Sequence, residues 1–166
     1  VNFGIMYGQG PHGLAEQTGM SFAEARDFIA KYFMIRPKLK EYIESLRQHA
    51  LNKGFVETLL GRRRPTPDVK SSNFMVREGA YRQAVNTPLQ GTAADLTKLA
   101  MVKVQEKLPK DAHMLLQIHD SILVEAPEKD AETLGKMMKE TMENIYPDLG
   151  VKLKVDIETG KTWGEL

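Results

Sequence analysis

Two short apolar runs flank a polar pair in the segment 114–126. The segment reads MLLQIHDSILVEA, and the polar pair is His119 and Asp120. Apolar runs of five or six residues that are separated by two turn-forming residues are typical of a β-hairpin. The pattern therefore predicts a hairpin with this pair at its tip. The predicted cross-strand pairs are Ile118 with Ser121, Gln117 with Ile122, Leu116 with Leu123, and Leu115 with Val124.

Both faces of this predicted hairpin carry apolar side chains. Leu116 and Leu123 would share one face, and Leu115 and Val124 would share the other, so both faces are predicted to be buried. A hairpin packed in this way would hold the imidazole and the carboxylate on a short, stiff support, as an active site requires. The competing interpretation is an ordinary turn, because His and Asp both tolerate turn geometry.

Helical periodicity dominates the first part of the chain. Ser21 and Glu24 have capping-box spacing, which predicts a helix from about Phe22 to Met34. Pro37 suits the first turn of a second helix, which Gly54 can end.

Beyond this point the pattern mixes strands with helices. A short strand is predicted over 55–60, then a turn, and then a helix over about 73–85 that is interrupted near Pro88. The remaining predicted elements are a helix from about 92, the hairpin, a helix over about 129–145 and a final strand over 152–158. These elements predict an α+β fold with a mainly helical portion over 1–75 and a mixed portion over 76–166.

Composition and charge narrow the class of protein. The 166 residues suffice for one sizeable core, and no apolar run approaches the roughly 20 residues of a membrane span, so no membrane partner is expected. Cysteine is absent, which suits an intracellular protein and leaves oxygen and imidazole ligands for any metal. Residues 1–86 hold 13 Lys/Arg against 8 Asp/Glu, whereas 87–166 hold 10 against 14. The basic first half favours a polyanionic partner.

Several segments resemble, in the same order, the polymerase domain of family A DNA polymerases, the bacterial DNA polymerase I type. The segments are 2–8 (NFGIMYG), 56–64 (VETLLGRRR), 82–95 (RQAVNTPLQGTAAD) and 117–120 (QIHD). The resemblance extends as far as Trp163 and covers the C-terminal part of that domain. It implies that 1–75 is the end of the fingers subdomain and that 76–166 is the end of the palm subdomain.

The resemblance also implies a reaction and a set of site residues. The reaction is template-directed addition of dNTPs to a primer 3′-hydroxyl with two Mg²⁺ ions, for which Asp120 would be a metal ligand. His119 would lie beside the primer end. Phe3 would pack beside the sugar of the incoming nucleotide, and Tyr7 would stack at the template position. The residues implied to contact primer-template DNA are Arg82, Asn86 and Gln90, with Arg77 as a further candidate for its backbone.

The spacing of three of these residues suits that role. Arg82, Asn86 and Gln90 recur every four residues, so they would line one side of a helix if Pro88 leaves the register intact. Arg can bind phosphate, while Asn and Gln can donate to minor-groove acceptors that every base pair displays. A solvated polar face is the competing interpretation.

The chain departs from the family pattern in ways that affect activity. Ser121 follows Asp120 where the family usually has Glu, and Tyr81 stands where a Glu often precedes the Arg. The family's upstream Lys and Arg, which hold the triphosphate, and its second metal-binding Asp would precede Val1. We therefore expect a fragment that does not polymerise DNA alone and needs the N-terminal part of the polymerase, in the same chain or in a separate one.

Two other functions remain open from the sequence. One is a non-catalytic DNA-binding half of a split polymerase. The other is a metal-dependent phosphohydrolase of the type named for its His-Asp pair. In that type the pair lies on a helix among further histidines, whereas here it lies between two strand-like runs. A polymerase would be expected in the cytoplasm of a bacterial cell, or of its host if a phage encodes it.

Overall fold

Six α-helices and four short strands build the chain, and a computed structural model describes all of its residues, 1–166. The helices are α1 (Asn2–Met6), α2 (Pro11–Thr18), α3 (Phe22–Met34), α4 (Pro37–Lys53), α5 (Phe74–Gln105) and α6 (Ala131–Glu143). The strands are β1 (Phe55–Glu57), β2 (Arg63–Pro65), β3 (His113–Ile118) and β4 (Ser121–Glu125). They form two antiparallel hairpins, β1-β2 and β3-β4, which confirms the α+β class. None of the helices combines the length and the apolar character needed to cross a membrane.

The chain divides into two compact units, Val1–Thr92 and Ala93–Leu166. The boundary falls inside α5, so each unit contains part of this helix. The functional division predicted from the sequence, 1–75 and 76–166, is a different division and stays a prediction.

The first three helices share a small core. Its buried members are Ile5, Leu14, Ala25 and Tyr32. The helix α3 has the predicted bounds because its capping box forms. The Glu24 N–H donates to Ser21 Oγ at 3.3 Å, and the Ser21 N–H donates to the Glu24 carboxylate at 2.8 Å.

A second core joins α4 and β1 to the first turns of α5. Its buried members are Ala50, Val56, Val69, Ala80 and Ala84. As predicted, α4 starts at Pro37, and it ends before Gly54, whose φ of 77° lies in the left-handed region. The following strand is shorter than predicted, because the chain turns where the Thr58 N–H donates to the Arg62 carbonyl at 2.9 Å.

The predicted break near Pro88 is wrong, since α5 runs continuously through this residue. Proline has no N–H to donate to the carbonyl of Ala84, and its ring crowds the preceding turn. The helix persists because it packs on both sides of Pro88. Its earlier turns contribute Ala80 and Ala84 to the second core, and its later turns contribute Val104 to a third core.

The third core lies in the second unit, between the end of α5, the β3-β4 hairpin and α6. Its buried members are Val104, Ala112, Leu134 and Met138. The predicted helix over 129–145 is present as α6, preceded by a turn of 3₁₀ helix over Glu128–Asp130. The start and the end of the prediction therefore differ from the structure by about two residues.

The final strand predicted over 152–158 is wrong, because this segment has no regular secondary structure and pairs with no other strand. Its backbone and side chains contact α6 instead. The Val155 N–H donates to the Glu143 carboxylate at 3.0 Å, and Ile157 lies against Gly135, where a Cβ atom would be 3.0 Å from Ile157 Cγ2. Alternation gave this segment an apolar face, but Val151 is 69% exposed and Ile157 is 39% exposed, so α6 covers this face only in part.

Candidate active site

His119 and Asp120 form the tip of the β3-β4 hairpin, as the two apolar runs predicted. Ile118 pairs with Ser121, so only these two residues make the turn. Both side chains are exposed. The hairpin therefore presents an imidazole and a carboxylate to a ligand without having to open.

The register of the hairpin agrees with the prediction at the tip and differs farther down. The three predicted pairs nearest the tip are present, but Val124 pairs with Met114 instead of Leu115. Leu115 is the extra residue of a β-bulge, and it is 50% exposed. A bulge leaves no mark on an apolar run, because every residue of the run is apolar whichever face it occupies.

Only one face of the hairpin is buried, so the prediction of two buried faces is wrong. Met114, Ile122 and Val124 pack against the third core. On the other face Leu116 is 43% exposed and Ile118 is 39% exposed. The apolar pattern of this face is real, but the described chain does not cover it.

The turn at the tip has an unusual backbone. His119 has a φ of 53°, the only positive φ among the non-glycine residues. Gln117 Nε2 donates to the His119 carbonyl, and Ser121 Oγ donates to the Ile118 carbonyl at 2.9 Å. Side chains from both strands therefore bind the backbone of the turn.

Asp120 suits a metal ion only as one ligand of a larger site. Its carboxylate oxygens are the kind of ligand that Mg²⁺ prefers. No group of three or more His, Asp or Glu side chains in the chain is placed to hold a metal ion. Asp156, a carboxylate outside the hairpin, accepts a hydrogen bond from Lys154 at 3.2 Å, which lowers its pKa.

Phe3 and Tyr7 lie one helical turn apart, as their spacing predicted. The Tyr7 N–H donates to the Phe3 carbonyl at 2.9 Å, so the two side chains are on the same side of α1. Phe3 is 74% exposed, while Tyr7 is half-buried. The exposed ring is available for stacking on a ligand.

Arg82 packs against the residue that follows this aromatic pair. A Cβ atom on Gly8 would lie 2.9 Å from Arg82 Cγ, and Gly8 has a φ of 87°. Position 8 therefore needs glycine for two reasons, its conformation and this close approach. Sequence reasoning missed the contact, for which the only signal was a glycine just after a short helix.

The sequence predicted that Arg82, Asn86 and Gln90 share one side of a helix if Pro88 leaves the register intact. Because α5 is continuous through Pro88, the three residues do line one side of it. Arg82 and Gln90 are exposed, and Asn86 is half-buried. Asn86 Oδ1 is buried and has no hydrogen-bond partner within the chain. The row thus presents polar groups of the kinds that bind phosphates and base edges.

Other arginines make contacts within the chain. Arg77 Nη1 donates to the Ser71 carbonyl at 3.0 Å, and its guanidinium carbon lies 5.7 Å from the centre of the Phe74 ring. Arg64 Nη2 donates to Gln83 Oε1 at 3.1 Å and so joins the β1-β2 hairpin to α5. These contacts hold the two side chains in defined positions.

Comparison with known proteins identifies the family. The model of DNA polymerase family A matches residues 1–165. The chain belongs to this family. The phosphohydrolase hypothesis is therefore wrong, in agreement with the position of His119 and Asp120 on a hairpin instead of a helix.

Relatives of this family A chain are DNA polymerases I. The thermostable enzyme of Thermus filiformis is 48% identical over 166 residues, which are 99% of this chain and 20% of that protein. The enzyme of Bacillus caldotenax is 46% identical over 166 residues, which are 98% of this chain and 19% of that protein. The chain thus spans about a fifth of the length of these relatives.

A solved structure has the same fold as the family A chain. It is the POL domain of Pol1 from M. smegmatis in complex with DNA primer-template and dNTP. The two are 39% identical with a TM-score of 0.85, and the match covers 92% of this chain and 27% of the other.

Proposed function

We propose that this chain is the C-terminal part of the polymerase domain of a DNA-directed DNA polymerase, which adds dNTPs to a primer 3′-hydroxyl as a template directs. The observation that carries the proposal is the exposed carboxylate of Asp120 at the hairpin tip, in a chain that matches family A from 1 to 165. The complex of the related POL domain supports primer-template DNA and dNTPs as ligands. Such an enzyme would work in the cytoplasm, where bacterial DNA and dNTPs are.

In this proposal Asp120 is one ligand of the Mg²⁺ ions, of which the complete enzyme binds two. When bound, the ions stabilise the attacking and the departing oxygens of nucleotidyl transfer. The two-residue turn would hold the Asp120 carboxylate within the small tolerance that such chemistry allows. His119, next to it on the turn, would position the primer end.

The first unit would supply contacts with nucleic acid and nucleotide. Phe3 would pack beside the sugar of the incoming nucleotide and Tyr7 would stack at the template position, where stacking tolerates any base. The residues proposed to contact primer-template DNA are Arg82, Asn86, Gln90 and Arg77. The intact register of α5 and the exposure of Arg82 and Gln90 support this assignment.

The N-terminal part of the polymerase is the partner that the site requires. It would bring the second metal-binding Asp and the residues that hold the triphosphate. It would also cover apolar side chains that this chain leaves exposed. These side chains are Leu116 and Ile118 on β3, and Leu99 and Val102 on α5. If that part is a separate chain, the protein described here is half of a split polymerase.

Primer extension tests the proposal in two arms. The complete protein and this chain alone are each incubated with a primed template, four dNTPs and Mg²⁺. We expect the complete protein to extend the primer with the nucleotides that the template specifies, and the chain alone to add none, because a two-metal site needs more carboxylate ligands than Asp120 alone supplies.

Each arm can fail separately. Processive extension by the chain alone would refute the incomplete site. A complete protein that binds primed template but never extends it would favour the non-catalytic DNA-binding alternative.

A further inference from the structure

The turn at the hairpin tip contains a residue in a conformation that its side chain disfavours. His119 has a φ of 53°, in the left-handed region where the Cβ atom of an L-residue is crowded by the backbone. Two-residue hairpin turns usually place Gly, Asn or Asp at such positions. Histidine tolerates such a φ at a higher cost than glycine does, so interactions with neighbouring side chains add to the stability of the turn.

Two side chains provide them, one from each strand. Gln117 Nε2 donates to the carbonyl of His119, and Ser121 Oγ donates to the carbonyl of Ile118 at 2.9 Å. These two carbonyls belong to the two peptide groups on either side of the His119 Cα atom. Fixing the planes of both groups fixes φ and ψ of His119. The second peptide group ends at the Cα atom of Asp120, so the point from which the Asp120 side chain extends is fixed as well.

We propose that Gln117 and Ser121 are positioning residues that hold His119 in its left-handed conformation and thereby fix the position of the backbone that carries the Asp120 carboxylate. The inference rests on the proposed function, in which that carboxylate binds a metal ion. It also gives a role to Ser121, which stands where the family usually has Glu. The Ser121 hydroxyl donates to the backbone of its own turn, so it acts on the conformation of the tip and does not replace the missing carboxylate.

The test uses the complete polymerase with substitutions at these positions. Ser121→Ala and Gln117→Leu remove the donors, while Ser121→Thr keeps a hydroxyl. Ser45→Ala is a matched control, because Ser45 Oγ also donates to the carbonyl three residues earlier, that of Tyr42 on α4, at 2.7 Å. The first measurement is amide hydrogen exchange of the tip in metal-free protein, which does not depend on activity. The second measurement is steady-state kinetics, which gives kcat and the KM for dNTP as separate values, together with the affinity for primed template.

We expect faster exchange at the tip in Ser121→Ala and Gln117→Leu. Their kcat should fall roughly ten- to a hundredfold, because a small displacement of a catalytic group has an effect of that size. The KM for dNTP and the affinity for primed template should remain unchanged. Ser121→Thr should restore both slow exchange and kcat, and Ser45→Ala should match the wild type.

The inference is overturned if Ser121→Ala and Gln117→Leu match Ser45→Ala in exchange and in kcat. It is also overturned if Ser121→Glu raises kcat while Ser121→Ala leaves the exchange unchanged, since position 121 would then act as a carboxylate site. In both cases a wild-type protein that extends primers leaves the proposed function standing. A wild-type protein that never extends primers refutes the proposed function, whatever the exchange rates are.

Discussion

At the scale of single residues, the conformation of His119 depends on a balance of small energies. A left-handed φ costs an L-residue roughly 1–2 kcal/mol. Two side-chain hydrogen bonds, from Gln117 and Ser121, contribute about 1 kcal/mol each, which is enough to offset that cost. The conformation of the tip is therefore specified by the residues that flank it. Sequence reasoning located the turn from the apolar runs but could not identify these bonds, which depend on side-chain directions.

The capping box of α3 gives a prediction about pH. Hydrogen bonds from the Ser21 side chain and backbone lower the pKa of Glu24 below its ordinary value of 4.5. The unfolded chain therefore binds the proton more readily, and the stability from this pairing is present above about pH 4.5 and lost as the pH falls through the lowered pKa. We expect the free energy of unfolding to fall less between pH 7 and pH 3 in Glu24→Gln than in the wild type.

Urea unfolding at the two pH values measures this difference. Glu16→Gln, at an exposed position of α2, is the control and should behave as the wild type. An equal loss of unfolding free energy in Glu24→Gln and in the wild type would show that the capping carboxylate does not contribute to acid sensitivity.

At the scale of elements, short sequence motifs predicted the helix starts and the turn that depend on interactions between neighbouring residues. The capping box and Pro37 correctly gave the starts of α3 and α4, and the polar pair gave the tip of the second hairpin. The continuity of α5 through Pro88 could not be predicted, because packing in two cores outweighs the local preference of proline. The final strand could not be predicted either, because alternation shows one apolar face but not whether a partner strand is present, and this segment has none.

Two glycines of α5 allow a matched test of helix packing. A Cβ atom at Gly91 would lie 2.5 Å from Cγ2 of the buried Thr58, whereas one at Gly79 would meet only Arg82 Nη2 at 3.8 Å. We expect Gly91→Ala to lower the free energy of unfolding by about 1–3 kcal/mol through overpacking. Gly79→Ala should raise it by up to about 1 kcal/mol, because alanine favours the helix.

Thermal or urea unfolding of the two variants beside the wild type measures both effects. Equal stability of the two variants would mean that Thr58, in the turn after β1, does not pack closely against α5 at Gly91.

At the scale of the whole molecule, the chain has the fold of its family, and the proposal assigns to it one part of the active site. Its fold class and its hairpin tip could be read from the sequence, since both depend on residues that are present. The exposure of Leu116 and Ile118 on the other face of the hairpin could not be read from the sequence, because their apolar pattern predicts burial. The absence of a metal-holding cluster and the span of about a fifth of the relatives agree with an incomplete site.

The most direct test of this account replaces the Asp120 carboxylate by an amide of the same shape in the complete protein. Single-nucleotide incorporation is measured for Asp120→Asn and for the control Asp111→Asn, which changes an exposed carboxylate just before β3. The account predicts that Asp120→Asn lowers the rate by at least about a hundredfold, since changes to the outer partners of metal ligands alone cost 10–100-fold. Primed-template binding should be retained, and Asp111→Asn should keep the wild-type rate. Incorporation by Asp120→Asn at the wild-type rate would contradict the account.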